Sequence, residues 1–133
     1  TSNSTDRIKK ARKKIAFFVQ VGLTIQYGDE MFKKLQSVVE IFRGSKQKVE
    51  LVWIGDKEHD AFLKEYNPDL AEKYQAITRE FMKEGWGTYL DRTDIEVSEI
   101  IAMCDAYYGS ASHIALEFEV KKKPVMIMDV EVI

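Results

Sequence analysis

"DAYYGSASHIALEFEVKKKPVMIMDV", residues 105–130, holds a strand, a helix and a second strand within one short span. Asp105 to Gly109 is apolar and aromatic, the mark of a buried strand, and Gly109 punctuates its end. Ser112 to Lys122 reads as a helix. Pro124 then opens an apolar strand at an end where its missing N–H costs no ladder bond. Two strands joined by a helix are parallel, because an antiparallel pair needs only a tight turn.

Working back toward the N-terminus, the same alternation repeats. "IAFFVQV", residues 15–21, is a continuous apolar run without polar alternation, as expected of a strand covered on both faces. Gly28 to Gly44 places Met31, Leu35, Val38 and Phe42 at helical spacing, with Asp29 and Glu30 at its start and Arg43 at its end, where they suit the helix dipole. "KVELVWIG", residues 48–55, is a second strand, followed by a short helix over 56–66. Asn67 and Pro68 suit the cap and first turn of a longer helix whose stripe is Leu70, Tyr74, Ile77 and Phe81, ending near Gly85. "GTYLDR", residues 87–92, is a weaker third strand. Thr93 and Glu96 have capping-box spacing and open a helix with Val97, Ile100, Ile101 and Cys104 facing inward. Five strands alternating with helices predict an α/β fold: a doubly wound, parallel five-stranded sheet in a Rossmann-like three-layer α/β/α arrangement.

The 133 residues suffice for one domain with a core, and not for two ordinary ones. Residues 1–13 read as a basic tail or linker, crowded by Arg7, Lys9, Lys10, Arg12 and Lys13, and residues 14–133 as the single domain. The chain opens at Thr1 rather than methionine and stops after an apolar run, which reads as part of a longer protein. A net charge of −2 gives no global attraction to nucleic acid or to a membrane. No apolar run approaches the ~20 residues of a membrane helix, and no secretory leader is visible. The single cysteine, Cys104, lies in an apolar helical pattern and reads as a buried thiol, so a reducing, cytoplasmic setting is expected.

In open parallel sheets, ligands sit beyond the carboxyl ends of the strands, where helix N-termini present free N–H groups. Of the strand-to-helix loops, "YGSASH" suits phosphate best. Gly109 permits close backbone approach, while Ser110 and Ser112 offer hydroxyls beside exposed amides. Neither a GxGxxG fingerprint nor a GxxxxGK[ST] loop is present, and the first strand lacks the acidic pair of a phosphoacceptor domain. His59 and His113 stand on different loops without a third ligand, so no metal site and no cofactor are expected. Trp53 and Trp86 read as core aromatics; Tyr107 and Tyr108 belong to a buried strand, from which one could reach a ligand.

The order of residues from Asp105 to Pro124 resembles the closing motif of the CDP-glycerol glycerophosphotransferases of teichoic-acid synthesis, approximately DxxITDYSSxxxDFxxxxKP. Asp105 matches its opening Asp, Ser112 and His113 fall on its serine pair, Glu117 stands at its later Asp, Phe118 follows, and Lys123-Pro124 closes it. A looser match of residues 28–42 and 83–91 to related transferase-like proteins extends the likeness over most of the chain. Two departures stand out. Ser110 replaces the family's Asp before the serines, and Ile54, Gly55, Asp56 and Lys57 occupy its Arg-Pro-His-Pro motif, so an aspartate stands at the position of the histidine.

The resemblance implies the C-terminal, nucleotide-binding half of a two-domain GT-B transferase. Such a domain would take a nucleotide-linked donor such as CDP-glycerol or a UDP-sugar and would be inactive without its N-terminal domain. It implies no nucleic-acid partner, and peripheral membrane association only through the full-length protein. The implied nucleotide- and phosphate-binding residues are Gly109, Ser110, Ser112, His113 and Glu117. Gly22, Lys57 and His59 are accessory candidates, with Lys57 or His59 taking over from the absent histidine. The other reading is a degenerate, non-catalytic binding or structural module on the same fold.

Overall fold

The computed structural model describes residues 12–128. Its first strand, β1 (Lys13–Phe18), leads through Val19 and Gln20 into two successive helices, α1 (Val21–Tyr27) and α2 (Asp29–Arg43). Strand β2 (Val49–Gly55) precedes α3 (His59–Tyr66) and α4 (Pro68–Glu84); β3 (Thr88–Asp91) precedes α5 (Val97–Met103); β4 (Ala106–Gly109) precedes α6 (His113–Val120); and β5 (Val125–Ile127) follows. The five strands form one all-parallel sheet in the order β3-β2-β1-β4-β5. The expected α/β fold is thus the observed one. Among the described residues no helix is long and apolar enough to cross a membrane.

Strand periodicity sorts side chains to the two faces of the sheet. Phe17, Leu51 and Trp53 project to one side, where they meet Met31, Leu35 and Val38 of α2 and Leu70, Tyr74 and Phe81 of α4. Trp53 and Trp86 both set their rings edge-on against Phe81, with centroids 5.5 and 5.1 Å away. Ala16, Phe18, Val52, Ile54 and Tyr107 project to the other side and pack on Ile100 and Ile101 of α5 and Ile114 and Phe118 of α6. Cys104 belongs to this second core, where burial pushes its thiol up to about 12.

Several boundaries differ from the sequence reading; the short helix read over 56–66 begins at His59, and the third strand spans Thr88–Asp91. Strand β1 starts at Lys13 and ends at Phe18, and Val21 belongs to a helix. Nothing in "VQVGLTIQY" marks that helix locally, because valine, threonine and isoleucine suit strands equally well. Tertiary contacts decide it. The Asp56 carboxylate accepts a hydrogen bond from Val21 N at 3.0 Å, Thr24 is fully buried with its hydroxyl 3.3 Å from Tyr74 Oη, and Gly28 at φ 53° turns the chain into α2. Helix α5 starts at Val97 rather than beside Thr93; the reciprocal carboxylate is Glu99, reaching back to Glu96 N at 3.4 Å, while Thr93 N donates to Asp91 Oδ1 at 2.8 Å. The last strand is shorter than the run from Pro124 to Val130, spanning Val125–Ile127, and Asp129 and Val130 lie outside the described residues.

Glycine replacements test the closeness of β1 and β4. A Cβ at Gly109 would collide with the Phe18 carbonyl, whereas one at Gly22 on α1 meets nothing within 4 Å. Gly109→Ala is therefore expected to destabilise the domain by about 2–4 kcal/mol. Gly22→Ala is expected to stabilise it by about 0.5–1 kcal/mol through helix propensity. Urea midpoints at unchanged m-value measure both; a harmless Gly109→Ala would contradict this packing.

Candidate functional site

The chain builds outward from β1 to β2 and β3, then returns to place β4 and β5 on the other side of β1. Loops leaving β1 and β4 therefore diverge at the carboxyl edge, and this gap is the position where open α/β sheets take ligands. Here the protein partly closes it. Ser110 N donates to the Phe18 carbonyl at 3.0 Å, and Gln20 N donates to Ser110 Oγ at 3.3 Å. Ser110 is 1% exposed, so its hydroxyl serves the joint between the two loops rather than the surface.

Tyr107 supports this corner from below. Its hydroxyl donates to the Ser110 carbonyl at 2.6 Å and lies 3.1 Å from Ser112 Oγ. Burial pushes the phenol up, so its proton stays in place. With that proton on the carbonyl, Ser112 is the donor between the two hydroxyls. Ser112 Oγ also accepts from Ala115 N at 3.3 Å and so caps α6. Its hydroxyl is thereby used internally. The amides of Ala111, Ser112, His113 and Ile114 have no protein acceptor among the described residues, and Ala111 and His113 are exposed. What this corner offers an anion is backbone N–H groups.

A groove of about 660 Å³ runs between α5 and α6 from this corner. Val97, Ser98 and Ile101 line one wall and His113, Glu117 and Lys121 the other. Lys123 closes the far end, where its Nζ donates to the Ile101 and Cys104 carbonyls at 2.5 and 2.8 Å and so caps the C-terminus of α5. His113 and Glu117 line the groove because they are one helical turn apart. The groove is of a size that accommodates a nucleotide-sized molecule. Gly109, Ser110, Ser112, His113 and Glu117 thus lie along one strand-to-helix connection, with Gly109 and Ser110 buried, Ser112 half-buried, and His113 and Glu117 on the groove wall.

The accessory candidates do not line this groove. Gly22 is exposed on α1 and Lys57 is exposed beyond β2. Asp56, standing at the family's histidine position, is occupied structurally: Oδ2 accepts from Val21 N, and Oδ1 accepts from Lys57 N at 2.8 Å. His59 is 8% exposed, with its ring centroid 4.8 Å from that of Tyr74. Its Nδ1 is buried without a hydrogen-bond partner, the nearest acid oxygen being Asp60 Oδ1 at 3.6 Å. No three His, Cys, Asp or Glu side chains converge as a metal site among the described residues.

Sequence reasoning did not single out Arg92, which follows β3 and places Nη1 3.2 Å from His113 Nε2. Its position just past a strand's carboxyl end was a legible signal. Its pairing with a helix 21 residues onward was not.

His59 carries a pH prediction. Burial lowers its pKa from 6.5, partly offset by Asp60, Asp56 and Asp91. Below pH 6.5 the unfolded chain therefore binds a proton that the native chain refuses. Stability is full above this pH and falls as pH drops toward the lowered value. Chemical denaturation of His59→Gln from pH 7 downward should give a slope shallower by up to about 1.4 kcal/mol per pH unit. Identical slopes would show that the imidazole is not desolvated.

Neither a protein-family model, nor a curated protein, nor a solved structure matches this chain.

Proposed function

We propose that this domain is the C-terminal, donor-binding half of a GT-B type transferase, resembling the CDP-glycerol glycerophosphotransferases of teichoic-acid synthesis. It takes a CDP- or UDP-linked donor in a cytoplasmic setting and turns over only with an N-terminal domain that supplies acceptor and base. Any association with a membrane surface belongs to that full-length protein. The observation that carries this reading is the continuity of acceptor-free amides at residues 111–114 with the groove lined by His113 and Glu117.

In this arrangement the donor diphosphate lies against the amides before α6, and the nucleoside lies along the groove. Negative charge grows on the leaving phosphate as its bond to the transferred group breaks. Fixed N–H dipoles stabilise that charge without reorganising. The Glu117 carboxylate accepts hydrogen bonds from the ribose diol and so favours a nucleotide over a bare diphosphate. Ser112 acts through the fold: it holds the first turn in register while Tyr107 holds the loop.

A second reading, a non-catalytic binding module, is favoured by one specific observation. Asp56 spends its carboxylate on capping α1 where the resembling family has a histidine. Such a module would retain the nucleotide and lack transfer.

Calorimetric titration with CDP-glycerol, CDP and UDP tests both readings. A dissociation constant on the order of 10 μM is expected for at least one of them. Glu117→Ala should weaken the nucleotide about tenfold while leaving inorganic pyrophosphate unaffected. Ser112→Ala should cost about 1 kcal/mol of stability through the lost cap and weaken both ligands. If no nucleotide binds more tightly than pyrophosphate, the donor-binding reading fails.

A further inference from the structure

We propose that Arg92 is the cationic residue that binds the donor's phosphate, acting together with His113 at the mouth of the α5–α6 groove. This rests on the donor-binding reading and adds to it a residue that neither the sequence pattern nor the resemblance assigns.

The position of Arg92 is built rather than incidental. Its backbone N donates to the Gly55 carbonyl at 2.9 Å, which ties the residue to the end of β2. The neighbouring Asp91 carboxylate accepts from Thr93 N at 2.8 Å and so is turned into its own loop. From there the side chain of Arg92 reaches α6, and Nη1 stands 3.2 Å from His113 Nε2.

Its partnering differs from that of Arg12 and Arg43, and unlike Arg79, which is exposed and equally unpaired among the described residues, Arg92 is half-buried. Arg12 pairs with Glu50 at 2.7 Å and Arg43 with Glu84 at 2.8 Å. Arg92 has no carboxylate oxygen within 4.0 Å among the described residues, although the chain carries 22 acidic residues. It faces an imidazole instead. Its Nε is shielded from solvent and has no hydrogen-bond partner. A half-buried guanidinium with a dry, unused N–H has lost part of its hydration without gaining a counter-charge. An anion placed between the two side chains supplies the missing counter-charge.

The chemistry selects the anion. Guanidinium presents parallel N–H donors that match two oxygens of a phosphate. Facing Arg92, the imidazole accepts at Nε2; facing an anion, it donates from that same nitrogen. Binding therefore changes which His113 nitrogen carries the proton as the ring is oriented toward ligand. Phosphate and diphosphate groups fit this pair, and no covalent step is involved.

The test uses the 133-residue chain with inorganic pyrophosphate as the probe, followed by nitrogen-15 NMR. Saturable shifts of the Arg92 Nε–H and of the His113 ring nitrogens, with the proton moving to Nε2, are expected. Arg92→Gln should weaken pyrophosphate at least about tenfold, and Arg92→Lys should keep part of the affinity as a point charge. Urea midpoints for both variants establish that they are folded, and Arg92→Lys decides if Arg92→Gln is not. Equal affinity in wild type and variant, no pyrophosphate binding by wild type at about 1 mM, or shifts that bypass Arg92 and His113 would overturn the proposal. CDP in parallel separates the two levels. Nucleotide binding indifferent to Arg92 keeps the donor-binding reading and sinks this one. Pyrophosphate binding through Arg92 with no added affinity for CDP does the reverse.

Discussion

The contact on which the rest of the structure depends is the close parallel pairing of β1 with β4. Phe18 lies beside Gly109 in register, and a side chain at Gly109 would strike the Phe18 carbonyl. That approach makes β1 central, with β2 and β3 on one side and β4 and β5 on the other. It also sets the divergence of the β1 and β4 loops and carries α6 to the carboxyl edge. Ser110 follows at once and bonds twice across the joint to the β1 side, to Phe18 through its amide and to Gln20 through its hydroxyl. One of the two hydroxyls that the sequence offers to a phosphate is thereby committed to closing the sheet.

Polar groups around the two ends of the sheet divide into two populations by the same logic. Some satisfy the protein itself: Asp56 caps α1, Ser112 caps α6, Tyr107 binds the Ser110 carbonyl, and Lys123 caps α5. Each fills a backbone valence that would otherwise be left open where a helix meets the core. Others keep unused capacity, namely the amides before α6, the Glu117 carboxylate on the groove wall and the Arg92 guanidinium against His113. The proposed donor is read from this second population. Its composition, donors at the corner and an acceptor one turn along the groove, suits a molecule with an anionic end and a hydroxyl-bearing end.

The cost of burying polarity is clearest at His59. Its imidazole sits under Tyr74 with an unpaired nitrogen, beside a Thr24–Tyr74 contact that ties α1 to α4. The histidine offered as an accessory in place of the family's own is packed into the core, where burial favours its neutral form. The aspartates around it soften the penalty without removing it.

Periodicity alone settled much of this protein. Met31, Leu35 and Val38 at helical spacing, the stripe from Leu70 to Phe81 behind Asn67 and Pro68, and the unbroken apolar strands led to a parallel α/β sheet, because repeat and burial are local properties of the chain. The neighbourhood of Gly109, Ser112, His113 and Glu117 was legible too, since all lie within one strand-to-helix connection. Tertiary structure decided the rest. Helix α1 forms where β-branched residues favoured extended chain, because Asp56, 35 residues away, supplies its first acceptor. Arg92 meets His113, Ser110 turns inward, and His59 is sealed off, each through partners remote in sequence. Hydrogen bonds and desolvation depend on which groups are brought together, and only the folded sheet brings these together.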